Sequence, residues 1–330
     1  MRRIARAVLV TGALLSSVLV SATAGGAGAA DPPPTFNSFY ESIPITVNGD
    51  YIPVFVGSCN VASEASILWY APGPAPDYVW SITSVEPFEY ESAAMPVNGT
   101  YEPIPGDFDG DGCDDILWYA PGGAQDHIWW GELDGSFTSE PMTINGDYVP
   151  AIGIFDEGEP QDIFWYAPGA GADYFWLGGG DRTFTSTPAP AVNGTYEMVA
   201  WGNSILFHRP GPATDYLWDN VDAGTGTYES SPLEINGTYD PEMSVVGFLL
   251  HGAGTAPDFL MFDHEDGTPM TLSGTINGTY NDDVRSLRTY FAHVWHAPGA
   301  APDYLWVPTG AGEESRAAQT GRFTPPTPTR

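Results

Sequence analysis

A short signature recurs six times along the chain and restricts its fold more than any other feature. Asn-Gly stands at Asn48, Asn98, Asn145, Asn193, Asn236 and Asn277, at intervals of 50, 47, 48, 43 and 41 residues. Val or Ile precedes each Asn, and a Tyr follows two residues after each Gly: Tyr51, Tyr101, Tyr148, Tyr196, Tyr239 and Tyr280. Self-similarity at this period marks a repeat architecture, in which a unit cannot bury its apolar face without its neighbours. Asn-Gly favours positive φ at both centres of a two-residue loop, so each pair is expected to form a hairpin turn.

Within a unit, four strand-like runs follow in order. In the second they are Tyr101 to Phe108, Ile116 to Tyr119, a stretch around Ile128-Trp129, and Phe137 to Ile144, with a Pro121-Gly122 turn before the third. Four short strands in such a unit match one propeller blade. No sustained 3.6-residue periodicity interrupts them, so the fold class is all-β. The expectation is a β-propeller of about six four-stranded blades, or seven if the termini build one together. Nine of the eleven Trp fall at two repeated places. Trp69, Trp118, Trp165 and Trp295 lie on the second run, and Trp80, Trp129, Trp176, Trp218 and Trp306 on the third. Rings of that size would fill the wedges between blades. The chain opens with a fourth-strand-like segment, Phe36 to Val47, which points to the two termini sharing a blade.

Residues 1–30 read as an export signal. Arg2, Arg3 and Arg6 precede an apolar run from Ala7 to Val20, and Ala27-Gly28-Ala29 offers a small-residue cleavage site. That run is too short to span a bilayer permanently, so the expected location is extracellular, without membrane insertion. Residues 31–325 then form a single propeller and 326–330 a short tail. With 42 acidic residues, 10 Arg and no Lys, the formal net charge is −32. Nucleic acid needs a basic stripe and is excluded as a partner. The two cysteines of an exported chain, Cys59 and Cys113, are expected to form one disulfide between neighbouring repeats.

One stretch carries metal chemistry. Between the first and second strands of repeat two stands Gly106-Asp107-Phe108-Asp109-Gly110-Asp111-Gly112-Cys113-Asp114-Asp115. Calcium takes six to eight oxygen ligands, and alternate acidic positions on a tight loop can converge on one ion. The expected Ca²⁺ ligands are Asp107, Asp109, Asp111, the Cys113 carbonyl and Asp115. Repeat one has Ser58, Asn60, Ala62, Glu64 and Ser66 there, too poor a set. Repeat three keeps Asp156 and Asp162 beside Glu157 and Glu159, which allows a weaker second site.

The segment from Gly106 through Ile116-Leu117-Trp118-Tyr119-Ala120-Pro121 to Gly122 resembles the FG-GAP-like or VCBS repeats, as in the propeller of integrin α-subunits. Secreted actinobacterial proteins with this Trp-Tyr variant are especially similar. The resemblance implies a propeller fold and gives the five loop positions the role of calcium ligands. It also favours an extracellular binding role, although a fold does not by itself assign function.

Asp77, Asp126, Asp173, Asp215 and Asp303 each stand three residues before a Trp. An active site is assembled once, so five copies read as caps on the preceding Pro-Gly hairpin. His293 and His296, three apart on a strand, face opposite sides, and His264-Glu265-Asp266 falls in a loop. Two function classes remain. One is a monomeric binding module for carbohydrate or a surface protein, with Tyr70, Tyr119 and Tyr166 as candidate sugar-stacking rings. The other is a polysaccharide-degrading glycosidase or lyase with carboxylates in a central funnel.

Overall fold

The computed structural model describes residues 11–12, 15–16, 40–57, 65–85, 87–158, 160–235, 237–244, 247–252, 259–262, 271–275, 293–295 and 303–308. Among them there is no helix, and all regular structure is β. Antiparallel sheets follow one another along the chain. Blade 1 is β4 (Ile52–Val56), β5 (Ala65–Tyr70), β6 (Tyr78–Val85) and β7 (Phe88–Ala94). Blade 2 is β8 (Glu102–Gly106), β9 (Asp115–Tyr119), β10 (Asp126–Gly131) and β11 (Phe137–Met142). Blade 3 is β12 (Val149–Gly153), β13 (Asp162–Tyr166), β14 (Tyr174–Gly179) and β15 (Thr183–Pro188). Blade 4 is β16 (Glu197–Trp201), β17 (Ser204–His208), β18 (Asp215–Asp222) and β19 (Thr227–Leu233). Blade 5 is β20 (Tyr239–Ser244), β21 (Gly247–Gly252), β22 (Phe259–Phe262) and β23 (Thr271–Thr275).

The remaining sheet joins the two ends of the chain. There β24 (His293–Trp295) pairs with β25 (Asp303–Pro308), and β25 pairs with β3 (Tyr40–Ile45), from Asp303↔Ile45 to Pro308↔Tyr40. Two further strands, β1 (Thr11–Gly12) and β2 (Leu15–Ser16), belong to the stretch read above as a leader. They lie against β8 and β12, and against β4, β20 and β24, so first strands of successive sheets turn toward one shared segment.

Each blade packs on both faces, because successive residues of a strand point to opposite sides. The Trp-Tyr pair on the second strand shows the consequence. Trp118 belongs to the core shared with blade 1, alongside Tyr70, and Tyr119 to the core shared with blade 3, alongside Trp165. The rings meet edge-on across each interface: Tyr70–Trp118 and Tyr119–Trp165 both have centroids 5.2 Å apart. Blade 4 carries Phe207-His208 there, and Tyr166 meets Phe207 at 6.4 Å. The terminal sheet and blade 1 share a core too, with Val294 and Leu305 packed among Phe55, Trp69 and Trp80.

The Asn-Gly segments correct one expectation. They are extended links between blades and not hairpin turns, and none of the described Asn residues in them has positive φ. The Gly alone does, at φ 145° for Gly49, 148° for Gly99, 143° for Gly146 and 144° for Gly194. The following Tyr folds back over it, so that a Cβ on Gly99 would sit 2.3 Å from the Tyr101 ring. Gly99, Gly146 and Gly194 also bridge the Gly of the preceding Pro-Gly turn, in Gly73↔Gly99, Gly122↔Gly146 and Gly169↔Gly194.

The repeated aspartates fasten these links. Asp126 accepts hydrogen bonds from Ala120 N (2.8 Å), in its own hairpin, and from Ile144 N (2.7 Å), at the entry to the next blade. Asp77 does the same with Ala71 and Val97, and Asp173 with Ala167 and Val192. All five are buried, and each two-pronged carboxylate satisfies backbone donors that burial would otherwise strand. The capping role read from sequence holds and extends to the blade-to-blade link.

Candidate functional site

The loop from β8 to β9 is built on a frame of carboxylate-to-backbone hydrogen bonds. Phe108 is fully buried, and its N–H donates to Asp115 Oδ2 at 2.9 Å. Asp115 Oδ1 accepts from Gly131 N at 2.8 Å, so this one carboxylate ties the loop to β10. Gly131 has to be glycine, since a Cβ there would lie 2.5 Å from the Asp114 carbonyl oxygen. Asp107 closes two small turns, accepting from Gly110 N (2.7 Å) and Gly112 N (3.0 Å).

This frame brings three carboxylates together. Oxygens of Asp107, Asp109 and Asp115 all lie within 4.8 Å of one another. Burial raises the Asp115 carboxyl to about 8, and the neighbouring Asp109 and Asp107 charges push the same way against its two backbone hydrogen bonds. Burial likewise raises Asp107 to about 6. Asp107 and Asp115, whose ionised forms are disfavoured, would be relieved by a cation, and an all-oxygen set suits a hard one. The residues present therefore fit calcium as donors.

Asp111 does not join them. Its Oδ1 accepts from Cys113 N at 2.8 Å, and Arg182 of blade 3 approaches it at 3.9 Å. Arg182 also reaches Asp109 (Nε, 3.0 Å) and Glu132 (Nη1, 2.9 Å), so the loop already carries one basic neighbour. Cys113 is buried and no described cysteine is free, while Cys59 lies outside the described residues.

Asp114 has a role that the sequence reading did not assign. Its buried Oδ2 accepts from Gly57 N of blade 1. The corresponding bond one blade on runs from Asp107 N to Gln161 Oε1, at 2.9 Å. Neighbouring loops are thus stitched in series, and a charge is not required, since Gln serves equally. The repetition of Asp114 and Gln161 just before the second-strand Asp was the available signal.

The three candidate sugar-stacking tyrosines require a correction. Tyr70, Tyr119 and Tyr166 are each 0% exposed, because the face opposite Trp is covered by the next blade. Their hydroxyls donate to Gly99 O (3.0 Å), Gly146 O and Gly194 O (both 2.8 Å). Tyr101 N and Tyr148 N donate back to Tyr70 and Tyr119. They lock the interblade links and offer no ring to a ligand. His208 replaces them in blade 4, with Nδ1 2.8 Å from Asp215 and Nε2 facing Tyr239 N at 3.3 Å.

Besides Tyr78 and Tyr216 on third strands, the exposed aromatics stand on the outer strands, together with the half-buried Phe137 and Phe184. The pattern is Tyr90-Glu91-Ser92, Phe137-Thr138-Ser139, Phe184-Thr185-Ser186 and Tyr228-Glu229-Ser230, with each Ser paired opposite the third-strand Trp. Each leading ring lies on that Trp, most closely in Trp80–Tyr90, stacked at 3.9 Å and 17°. Tyr90 is 42% and Tyr228 38% exposed. An aromatic two residues before Ser, recurring after Trp80, Trp129, Trp176 and Trp218, is the sequence signal that would have found them.

Glu102, at the start of β8, is buried and neither carboxyl oxygen has a hydrogen-bond partner. Its pKa is raised well above the ordinary value by burial alone, which describes a lone buried acid rather than an acid pair. His264-Glu265-Asp266 and His296 lie outside the described residues.

Residues 101–128 match the FG-GAP repeat, a span that holds the acidic loop, β9 and the Asp126 cap. With its series of four-stranded antiparallel sheets, the chain has the architecture of an integrin-α-like propeller. Comparison with curated proteins gives no match. No described helix is long and apolar enough to cross a membrane.

Proposed function

We propose that the chain is an exported, six-bladed propeller that acts as a monomeric binding module for carbohydrate or a surface protein, stiffened by one calcium ion. The observation that carries this reading is the convergence of Asp107, Asp109 and Asp115 within 4.8 Å inside the stretch that matches the FG-GAP repeat. Those three side chains would hold the ion, which would neutralise the buried acids and pin the loop between blades 1 and 3. Ring closure is supported by the β3–β25 pairing and by the core shared between the terminal sheet and blade 1. A Cys59–Cys113 disulfide would join blades 1 and 2 where the Gly57–Asp114 bond already links them. Residues 1–30 would be removed on export.

Calorimetric titration of the mature chain with CaCl₂ tests the metal reading. The expected Kd is on the order of 10⁻⁴ M, typical of extracellular modules. Asp107→Ala should abolish the heat. A wild-type titration indistinguishable from buffer dilution would overturn calcium binding.

A further inference from the structure

Between the outer halves of blades 2 and 3 the surface opens into a cleft of about 270 Å³. Trp176 and Phe184 form one wall and Trp130 the floor, with ring centroids of 5.5 Å (Trp176–Phe184) and 6.2 Å (Trp130–Phe184). Arg182, Glu140 and Ser186 stand on its rim. The corresponding cleft between blades 3 and 4, beside Trp218 and Tyr228, has room for only about 10 Å³, roughly one water. There Val221 of β18 and Ala223 of the turn that follows line the opening.

We propose that the blade 2–3 cleft binds one residue of a neutral saccharide. This rests on the carbohydrate form of the binding reading above and gives it a place. The volume lies just below the ~300 Å³ at which pockets for drug-sized ligands begin, which suits a single pyranose. Trp176 and Phe184 are half-buried and already packed on one another, so they lose little freedom on binding and leave apolar ring surface for the C–H face of a sugar, with the buried Trp130 supporting them from beneath. Glu140 can accept hydroxyl protons, Arg182 can donate, and the Ser186 hydroxyl can do either.

Charge selects a neutral sugar over an acidic one. Arg182 is the basic group on the rim, and Glu132, outside the three-carboxylate cluster, already balances it at 2.9 Å. No surplus positive charge remains for a uronate or sulfate, and the net charge of −32 repels both. Arg182 is held at φ 62°, a left-handed conformation unusual for a residue other than Gly, which places its side chain between the acidic loop and the cleft.

The test uses the mature chain with calcium and hexasaccharides of cellulose, chitin and mannan, with hexagalacturonate as the charged probe. Binding is read by tryptophan fluorescence and calorimetry. At least one neutral hexasaccharide should bind, and hexagalacturonate should bind at least tenfold more weakly. Ser186 is exposed, so Ser186→Trp should fill the cleft without disturbing the core and weaken binding at least tenfold. Glu140→Arg, on the opposite wall, should weaken it severalfold. Unchanged affinity in both folded variants would overturn the cleft while leaving carbohydrate binding intact. If the wild type binds none of the neutral probes, carbohydrate binding itself falls, and tighter binding of hexagalacturonate would overturn the neutral class.

Discussion

The first loops of blades 2 and 3 share a frame and differ in charge. Gly106, Phe108, Asp109, Asp114 and Asp115 correspond to Gly153, Phe155, Asp156, Gln161 and Asp162. In blade 3, Asp162 accepts from Phe155 N (2.6 Å) and Gly178 N (2.9 Å), as Asp115 accepts from Phe108 and Gly131. Phe155 is buried like Phe108. Yet Ile154 stands where Asp107 does, Gly158 where Asp111 does and Pro160 where Cys113 does. Backbone geometry and metal chemistry are therefore separable layers: the last Asp and the Phe build the loop, and the earlier acids decide whether it can hold an ion.

The largest test concerns Cys113, which blade 3 lacks. By the chain-entropy model, closing the Cys59–Cys113 loop contributes about 4 kcal/mol. The Cys59→Ala/Cys113→Ala variant should melt well below wild type, while Pro160→Ala in blade 3 should shift the melt only slightly. Thiol titration under denaturing, non-reducing conditions decides the bond itself, and two reactive thiols would reject it.

Next comes the shared frame. Asp162→Ala leaves the Phe155 and Gly178 N–H groups without acceptors and should cost about 3 kcal/mol. Because this layer is independent of metal, the loss should be equal in calcium and in chelator. A calcium-dependent loss would show that blade 3 also holds an ion.

A third difference lies on the first strands. Glu102 of blade 2 occupies the place of Ile52 in blade 1 and Val149 in blade 3. Burial raises its pKa, so the native state keeps the proton while the unfolded chain releases it near the ordinary value of 4.5. As pH rises through that value the unfolded state is favoured, and stability falls until the native group ionises too. Glu102→Ile should stabilise by about 2 kcal/mol at pH 7 and by less at pH 4. Melts at both pH values check this, and parallel pH profiles of variant and wild type would count against a raised Glu102.

Much of this was legible in sequence because it depends on spacing alone. The repeat, the four strands of blade 2 and the five Asp caps follow from local order. What was not legible depends on a neighbouring blade. Tyr119 is buried because blade 3 covers it, and the acidic loop meets Arg182 of blade 3, 73 residues from Asp109 in sequence. Asn-Gly misled because its hairpin preference describes isolated two-residue loops. Here the Tyr ring closing over each Gly, and the bridge to the Pro-Gly glycine, impose an extended path.

The smallest expected effect bears most directly on the two loops. If blade 2 binds calcium with a Kd of about 10⁻⁴ M, 1 mM calcium stabilises the fold by about 1.4 kcal/mol. Chelator should lower the melting temperature by a few degrees, and Asp107→Ala should remove the difference. Since Asp111 stands outside the three-carboxylate cluster and accepts from Cys113 N, Asp111→Asn should leave most of the response in place. The reciprocal change is Ile154→Asp, which restores in blade 3 the acid that blade 2 has at Asp107, alongside Asp156 and Asp162. Ile154 is 41% exposed, so its replacement leaves the buried frame intact. The variant should gain a second, weaker calcium response, seen as a further rise in melting temperature between 1 and 10 mM. If it melts like wild type throughout, while Asp107→Ala still removes the first response, then three acids on this frame do not suffice. The Gly110-Asp111-Gly112 backbone, where both glycines have positive φ, would then be part of the site.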